Sequence, residues 1–260
     1  MGNQLTEELV WIDECFAFEG APPEHAHKHV SVYLLSGDTN VLIDSGSFLH
    51  RDDISREVGT AIGDGNLDAL VLSHSDYPHA ANVESFVDIH GAELIASSGA
   101  PKAQGLPDAT KCDIGGSMTV AGRECSFIDP PLADRSHTTW IFDHATSTLF
   151  TADGFGSRHS ADRCEFTSRD YGDGIPAAAI ESFHANELPW LRYVDPDRLR
   201  EAIEAIFAEF PPAWVAPVHG HPIAGEDLSD YVDRLIAAAD RITSEYRSNH
   251  FPDSGGTSKT

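Results

Sequence analysis

Hydrophobic and polar positions along this chain follow two periods: short apolar runs of strand length, and stripes recurring every three or four residues. Residues 8 to 18 mix partial alternation with aromatics (Trp11, Phe16, Phe18) and read as an opening strand, broken at Ala21-Pro22-Pro23. Val30 to Leu35 and Val41 to Ile43 read as a hairpin around Gly37-Asp38-Thr39-Asn40. Asp52 to Ile62 carries Ile54, Val58 and Ile62 on one face and predicts a helix ended by Gly63. The apolar run Leu67 to Leu72 predicts a buried strand, and Val83, Phe86 and Val87 a helix that Gly91 stops. Between these two lies Ser73-His74-Ser75-Asp76-Tyr77-Pro78-His79, a loop leaving the C-terminal end of a strand, where α/β proteins commonly keep their chemistry.

The same reading gives a short strand at Glu93 to Ala96, a polar surface stretch over 99–116, and hairpins at Ser117 to Ile128 and Thr139 to Thr151. Gly156 to Gly174 is polar and reads as a flexible flap beside the site. A helix follows Pro176, and Asp195-Pro196 supplies an N-cap and a first-turn proline for another. That second helix buries Leu199 and Ile203 and stops at Pro211-Pro212. Leu228, Tyr231, Val232, Leu235, Ile236, Ala239 and Ile242 stripe the last amphipathic helix. Strands before and after a helix in each half predict an α/β, four-layer αββα sandwich over residues 1–248, with a disordered tail at 249–260.

Composition narrows the partners. The chain has 260 residues, 41% of them hydrophobic, enough for a sizeable core. Its formal net charge is −25, and only Lys28, Lys102, Lys111 and Lys259 supply lysine. Such a field repels nucleic acid and anionic membranes, and suits a halophilic protein whose self-repulsion is screened by salt. No apolar run reaches membrane-spanning length, and the N-terminus lacks a basic start, so a cytoplasmic protein is expected. Cys15, Cys112, Cys125 and Cys164 form no Cys-x-x-Cys pair, which argues against a rubredoxin-type iron or structural zinc site, and they are expected to be mostly buried small apolar residues.

Histidine and aspartate punctuate the ends of apolar runs. Beside His74, Asp76 and His79 stand Ser136-His137-Thr138-Thr139, Thr151-Ala152-Asp153-Gly154-Phe155-Gly156 and Pro217-Val218-His219-Gly220. In this order they resemble the metallo-β-lactamase superfamily, whose first motif is His-x-His-x-Asp-His, followed by a lone His, a bridging Asp and a final His. Asp76 replaces the second His, as a Glu does in flavodiiron proteins, and Asp153-Gly-Phe-Gly resembles the Asp-Ala-Phe-Gly of that branch. Pro78 stands where the family has a metal-binding Asp, so one carboxylate is lost.

The resemblance implies the same αββα fold and two metal ions. His74, Asp76 and His137 would hold the first, His79 and His219 the second, with Asp153 bridging. Carboxylate-rich mixed shells suit iron better than zinc. It also implies a binuclear protein binding or reducing dioxygen, nitric oxide or peroxide. Electrons would come from a separate flavoprotein reductase, because no FMN-binding segment is evident on these residues. Head-to-tail pairing of relatives implies a homodimer. A hydrolase of a thioester, lactone or phosphoester stays open, as does a degenerate site with one metal or none.

Three further groups are candidates. His25, His27 and His29 point to one face of an extended chain, and His25 or His27 could supply the donor that Pro78 removes. Tyr171 and Tyr77 are candidate proton donors, with Asp76 and Asp153 as the catalytic carboxylates. Asp44, closing the second hairpin strand, is either a turn-former or an acceptor that orients a ligand histidine.

Overall fold

The computed structural model describes residues 2–97 and 109–250. Among them, one sheet has seven strands. Its spatial order is β1 (Asn3–Thr6), β2 (Leu9–Ile12), β5 (Val32–Leu35), β6 (Val41–Ile43), β7 (Ala69–Leu72), β8 (Glu93–Ser97) and β9 (Thr110–Cys112). A second has six, ordered β10 (Ser117–Val120), β11 (Arg123–Ile128), β12 (Trp140–Asp143), β13 (Thr148–Phe150), β15 (Trp214–Ala216) and β16 (Ile223–Ala224). A small third sheet places β4 (His27–His29) between β14 (Arg158–His159) and β3 (Cys15–Ala17).

Three separate hydrophobic clusters show the layering. Between the two large sheets lie Trp11, Tyr33, Val71 and Ile95 from one and Phe127, Ile141 and Phe150 from the other. The outer face of the first sheet buries Leu34, Leu42 and Leu72 against Ile54, Val58, Val83 and Phe86 of α1 (Arg51–Ile62) and α3 (Val83–His90). One turn of helix, α2 (Tyr77–Ala80), precedes α3. The second sheet packs Trp140, Leu149 and Val215 under α4 (Ala177–Glu187), α5 (Pro196–Glu209) and α6 (Leu228–His250). This is the expected four-layer αββα arrangement. Each strand of the inner sheets contributes to an inter-sheet cluster or a helix-facing one, according to the side its residues alternate onto.

Local chemistry explains the element ends. Gly63, at φ +58°, caps α1, and Gly91 caps α3 in the left-handed region. The Asp195 carboxylate accepts from the backbone N–H groups of Asp197 and Arg198 at 3.0 and 3.4 Å, starting α5 with proline in its first turn.

The structure departs from the expected elements in four places. β1 pairs with β2, although its residues show little apolar patterning. Thr110 to Cys112, expected on a wandering surface stretch, pair parallel with β8; residues 98–108 lie outside the described residues. The stretch Gly156 to Gly174 is not a loose flap. Ser157, His159 and Ser168 are buried, and Ser168 donates to Asp227 and accepts from the Ala224 N–H. Ser168 thus ties the stretch to the segment around Ala224 and Asp227, whereas Ser157 Oγ and His159 Nδ1 are buried without a hydrogen bond. The expected tail at 249–260 begins inside α6, which runs to His250; residues 251–260 lie outside the described residues.

Candidate metal centre

Parallel pairing of β6, β7 and β8 brings several strand exits to one edge of the first sheet. Asp44 leaves β6 and the Ser73–His79 loop leaves β7. Asp44 adopts φ +60°, which turns its carboxylate back into the protein. There it accepts from the Ser73 N–H at 2.8 Å, from the Ser73 hydroxyl at 2.7 Å and from His79 Nδ1–H at 2.9 Å. Asp44 therefore fixes the His79 ring, and leaves Nε2 facing the cavity.

The exits of β13 and β15 are bound together on the other sheet. Thr151 N–H donates to Ala216, Val218 N–H to Ala152, and Ser157 N–H to His219. Ala152 and Phe155 take φ of +50° and +63° around Asp153. Gly156 is required by contact: a Cβ there would lie 2.2 Å from the Phe183 ring. His219 Nδ1–H donates to the His29 carbonyl at 2.6 Å, so its Nε2 also points inward.

These two constructions meet at Asp153. Its Oδ1 lies 3.0 Å from His79 Nε2 and 3.4 Å from His219 Nε2. His74 stands over His79 with ring centroids 3.8 Å apart, and its buried Nε2 has no hydrogen-bond partner. One donor atom each of His74, His79 and Asp153 lies within 4.8 Å of the others. A cavity of about 310 Å³ opens onto them, lined also by Lys28, Asp76, Asp134, Arg135, Trp190 and His219.

Electrostatics follow from this burial. Desolvation opposes a charged His79, but Asp44 and Asp153 on either side outweigh it and push its pKa up to about 10. Burial pulls His219 down to about 3. Desolvation alone would raise the Asp153 carboxyl, yet the surrounding histidines hold it far below the usual carboxylate range.

The rest of the expected set is dispersed. Asp76 faces the cavity, but its Oδ2 accepts from Arg135 at 2.7 and 3.0 Å. Asp134, missed by sequence reading, stands 3.6 Å from His74 Nε2, and His74, Asp76 and Asp134 form a second donor group. His137 stands apart: its Nε2 meets Ser75 Oγ at 3.2 Å, and its ring lies 6.4 Å from that of His74. His25 and Tyr171 line a neighbouring cavity with Arg158, Arg163 and Pro176. Tyr171 pairs with His221 Nε2 at 2.8 Å, and His221 Nδ1–H donates to the Phe166 carbonyl at 2.8 Å. His27 faces Cys164 instead of the site, and Tyr77 is exposed. The residue of that stretch that does line the cavity is Lys28, paired with Glu187 at 3.0 Å. No local signal marked Lys28, Asp134 or Arg135, because each is an ordinary surface-type charge until the fold places it.

Two sheets sandwiched by helices, with histidines and aspartates at their strand exits, define a metallo-β-lactamase-fold protein. Residues 27–109 match the family model of the metallo-beta-lactamase superfamily. The chain is similar to an uncharacterized protein of Methanocaldococcus jannaschii, 25% identical over 195 residues, covering 72% of this chain and 47% of that protein. Its structure resembles rubredoxin oxygen:oxidoreductase from Desulfovibrio gigas, with TM-score 0.75, 17% identity, and coverage of 92% of this chain and 62% of that one. The flavodiiron protein from Giardia intestinalis gives TM-score 0.70 and 16% identity over 94% of this chain and 60% of that one. The chain thus spans about half the length of the curated relative and under two thirds of these solved chains. Among the described residues no helix is long and apolar enough to cross a membrane.

Proposed function

We propose that this chain is a flavodiiron-like metal-binding core that binds or reduces a small ligand of the dioxygen, nitric oxide or peroxide type. The observation that carries the reading is the buried His74 Nε2, which makes no hydrogen bond and has only the Asp134 carboxylate at 3.6 Å, beside a cavity with His79, Asp153 and His219. An orphaned buried imidazole nitrogen is costly unless something binds it. Three imidazoles and three carboxylates (Asp76, Asp134, Asp153) offer the mixed nitrogen and oxygen shell that suits iron, so His74, His79, Asp153 and His219 would hold metal, and Asp76 and Asp134 would extend the site. Bound iron would supply the electron transfer, drawing on a separate reductase.

The protein's own groups do the rest. Asp44 and the His29 carbonyl hold two imidazoles in the tautomers that leave Nε2 free. Pro78, Pro189 and Trp190 wall the cavity with apolar surface. Lys28, held by Glu187, places a cation at its edge, favouring ligands that gain negative charge.

A zinc hydrolase is the second reading, favoured by one observation: Arg135 already neutralises Asp76, leaving a compact set of three imidazoles and Asp153. Metal analysis of anaerobically purified protein separates the two. Iron bound per chain, with visible bands appearing on exposure to oxygen, supports the redox core. Zinc with thioester or lactone turnover in their place would overturn it.

A further inference from the structure

Four metal-ligating side chains gather outside this cavity. Strand pairing sets Ala17 opposite His27 and His27 opposite His159, with Cys15 two residues before Ala17. Since alternate residues share a face, Cys15, His27 and His159 project from the same side of the small three-stranded sheet. Cys164 closes the fourth side from the turn that follows Ala161–Arg163. One donor atom from each of the four lies within 4.8 Å of all the others. Cys15 Sγ is 3.4 Å from His159 Nε2, and Cys164 Sγ is 3.4 Å from His27 Nδ1.

We propose that Cys15, His27, His159 and Cys164 form a structural zinc site. Bond lengths of about 2.3 Å to sulfur and 2.0–2.1 Å to nitrogen put adjacent sulfur and nitrogen ligands of a tetrahedron about 3.6 Å apart. Both observed sulfur–nitrogen edges fall close to that value. Two thiolates and two imidazoles exclude calcium and magnesium, which take oxygen, and suit zinc. With all four positions filled by protein, the ion has no open site for substrate, so its role is to hold structure.

What it holds is the wall of the cavity. His27 begins β4, whose next residues are Lys28, which lines the cavity, and His29, whose carbonyl fixes His219. Cys164 lends its own carbonyl to His29 Nε2 at 2.7 Å. The ion would cross-link β3, β4, β14 and the Cys164 turn, a unit with few backbone pairs of its own. The other two cysteines differ: Cys112 and Cys125 are buried in the inter-sheet core and, among the described residues, join no such group. Cys15 and Cys164 are only half-buried, and the tertiary fold brings them together without any sequence spacing.

The inference does not depend on the proposed function, and its test reads sulfur, which the other site lacks. X-ray absorption at the zinc edge of protein purified under reducing conditions should show scattering at the zinc–sulfur distance of about 2.3 Å. A Cys15→Ser/Cys164→Ser variant should lose that shell, whereas Asp153→Asn should keep it. If the serine variant does not fold, cobalt exchanged into the wild type gives the same answer, through an intense thiolate-to-cobalt charge-transfer band. Accessible thiols that react freely with maleimide, a Cys15–Cys164 disulfide, or bound metal with no sulfur neighbour would each overturn the assignment.

Discussion

His79 and His219 approach Asp153 from opposite sheets, and each has its far nitrogen tied to a buried acceptor, Asp44 or the His29 carbonyl. Asp76 and His137 have no such anchoring. Asp76 is drawn to an Arg135 that is 55% exposed, and His137 to a serine hydroxyl. The difference is one of support. Where strand exits and buried hydrogen bonds over-determine a side chain, the donor atoms converge without help. Where the residue sits on a loop facing solvent, the nearest polar or charged group captures it. Pro78 belongs to this weaker side, since it offers no donor to compete with Arg135.

The sharpest way to break the comparison is to remove its shared carboxylate. Asp153→Ala should reduce metal affinity by more than about 100-fold, beyond the range seen for outer partners, while His137→Ala should cost far less. Equilibrium competition with a chelator measures both; equal losses would erase the distinction between the halves.

Acid comes next in size. His219 and His184 are buried and their pKa values fall to about 3 and about 4, so the unfolded chain binds more protons below its ordinary pKa of 6.5. Their stability contribution is full above 6.5 and is lost as pH falls through the folded values, on the order of 3 kcal/mol for His184. His79 runs the other way in metal-free protein. Its contribution is complete below 6.5 and lost as pH rises through about 10. Chemical denaturation of the metal-free protein across pH should show both arms. The acid arm should shrink in His184→Gln, where no proton can be gained on unfolding.

Asp44→Asn retains a hydrogen-bonding side chain but removes the charge behind His79. We expect metal affinity to fall about 10- to 100-fold, with the thermal midpoint of the metal-loaded protein lowered in step. The smallest effect should come from Arg135→Ala. An exposed ion pair of this kind is worth at most about 1 kcal/mol, so freeing Asp76 should tighten binding by no more than about fivefold. A weakening instead would mean that Arg135 supports the site and does not compete with it.

Much of this fold was legible in the residue pattern. The turn at Gly37–Asn40, the stripes of α1 and α6, and the cap at Asp195 are local, and the structure keeps them. The order of His74, His79, Asp153 and His219 could be read because His74, Asp153 and His219 each sit two or three residues past an apolar run, and His79 closes the loop that His74 opens. Asp44, legible only as a turn-former or an orienting acceptor, takes the second role against His79.

The packed polar stretch after Gly156 was not legible, because a polar residue that will be buried with a partner looks the same in sequence as one that faces water. Period and spacing determined the elements, the layers and the end of each strand at which chemistry collects. Tertiary structure alone decided that Arg135 would reach Asp76, that Asp134 would join His74, and that Cys15 would meet Cys164. Such meetings depend on which strands pair and which loops fold back. Those choices are set by burial of the whole chain, and they leave no trace in the neighbours of any one residue.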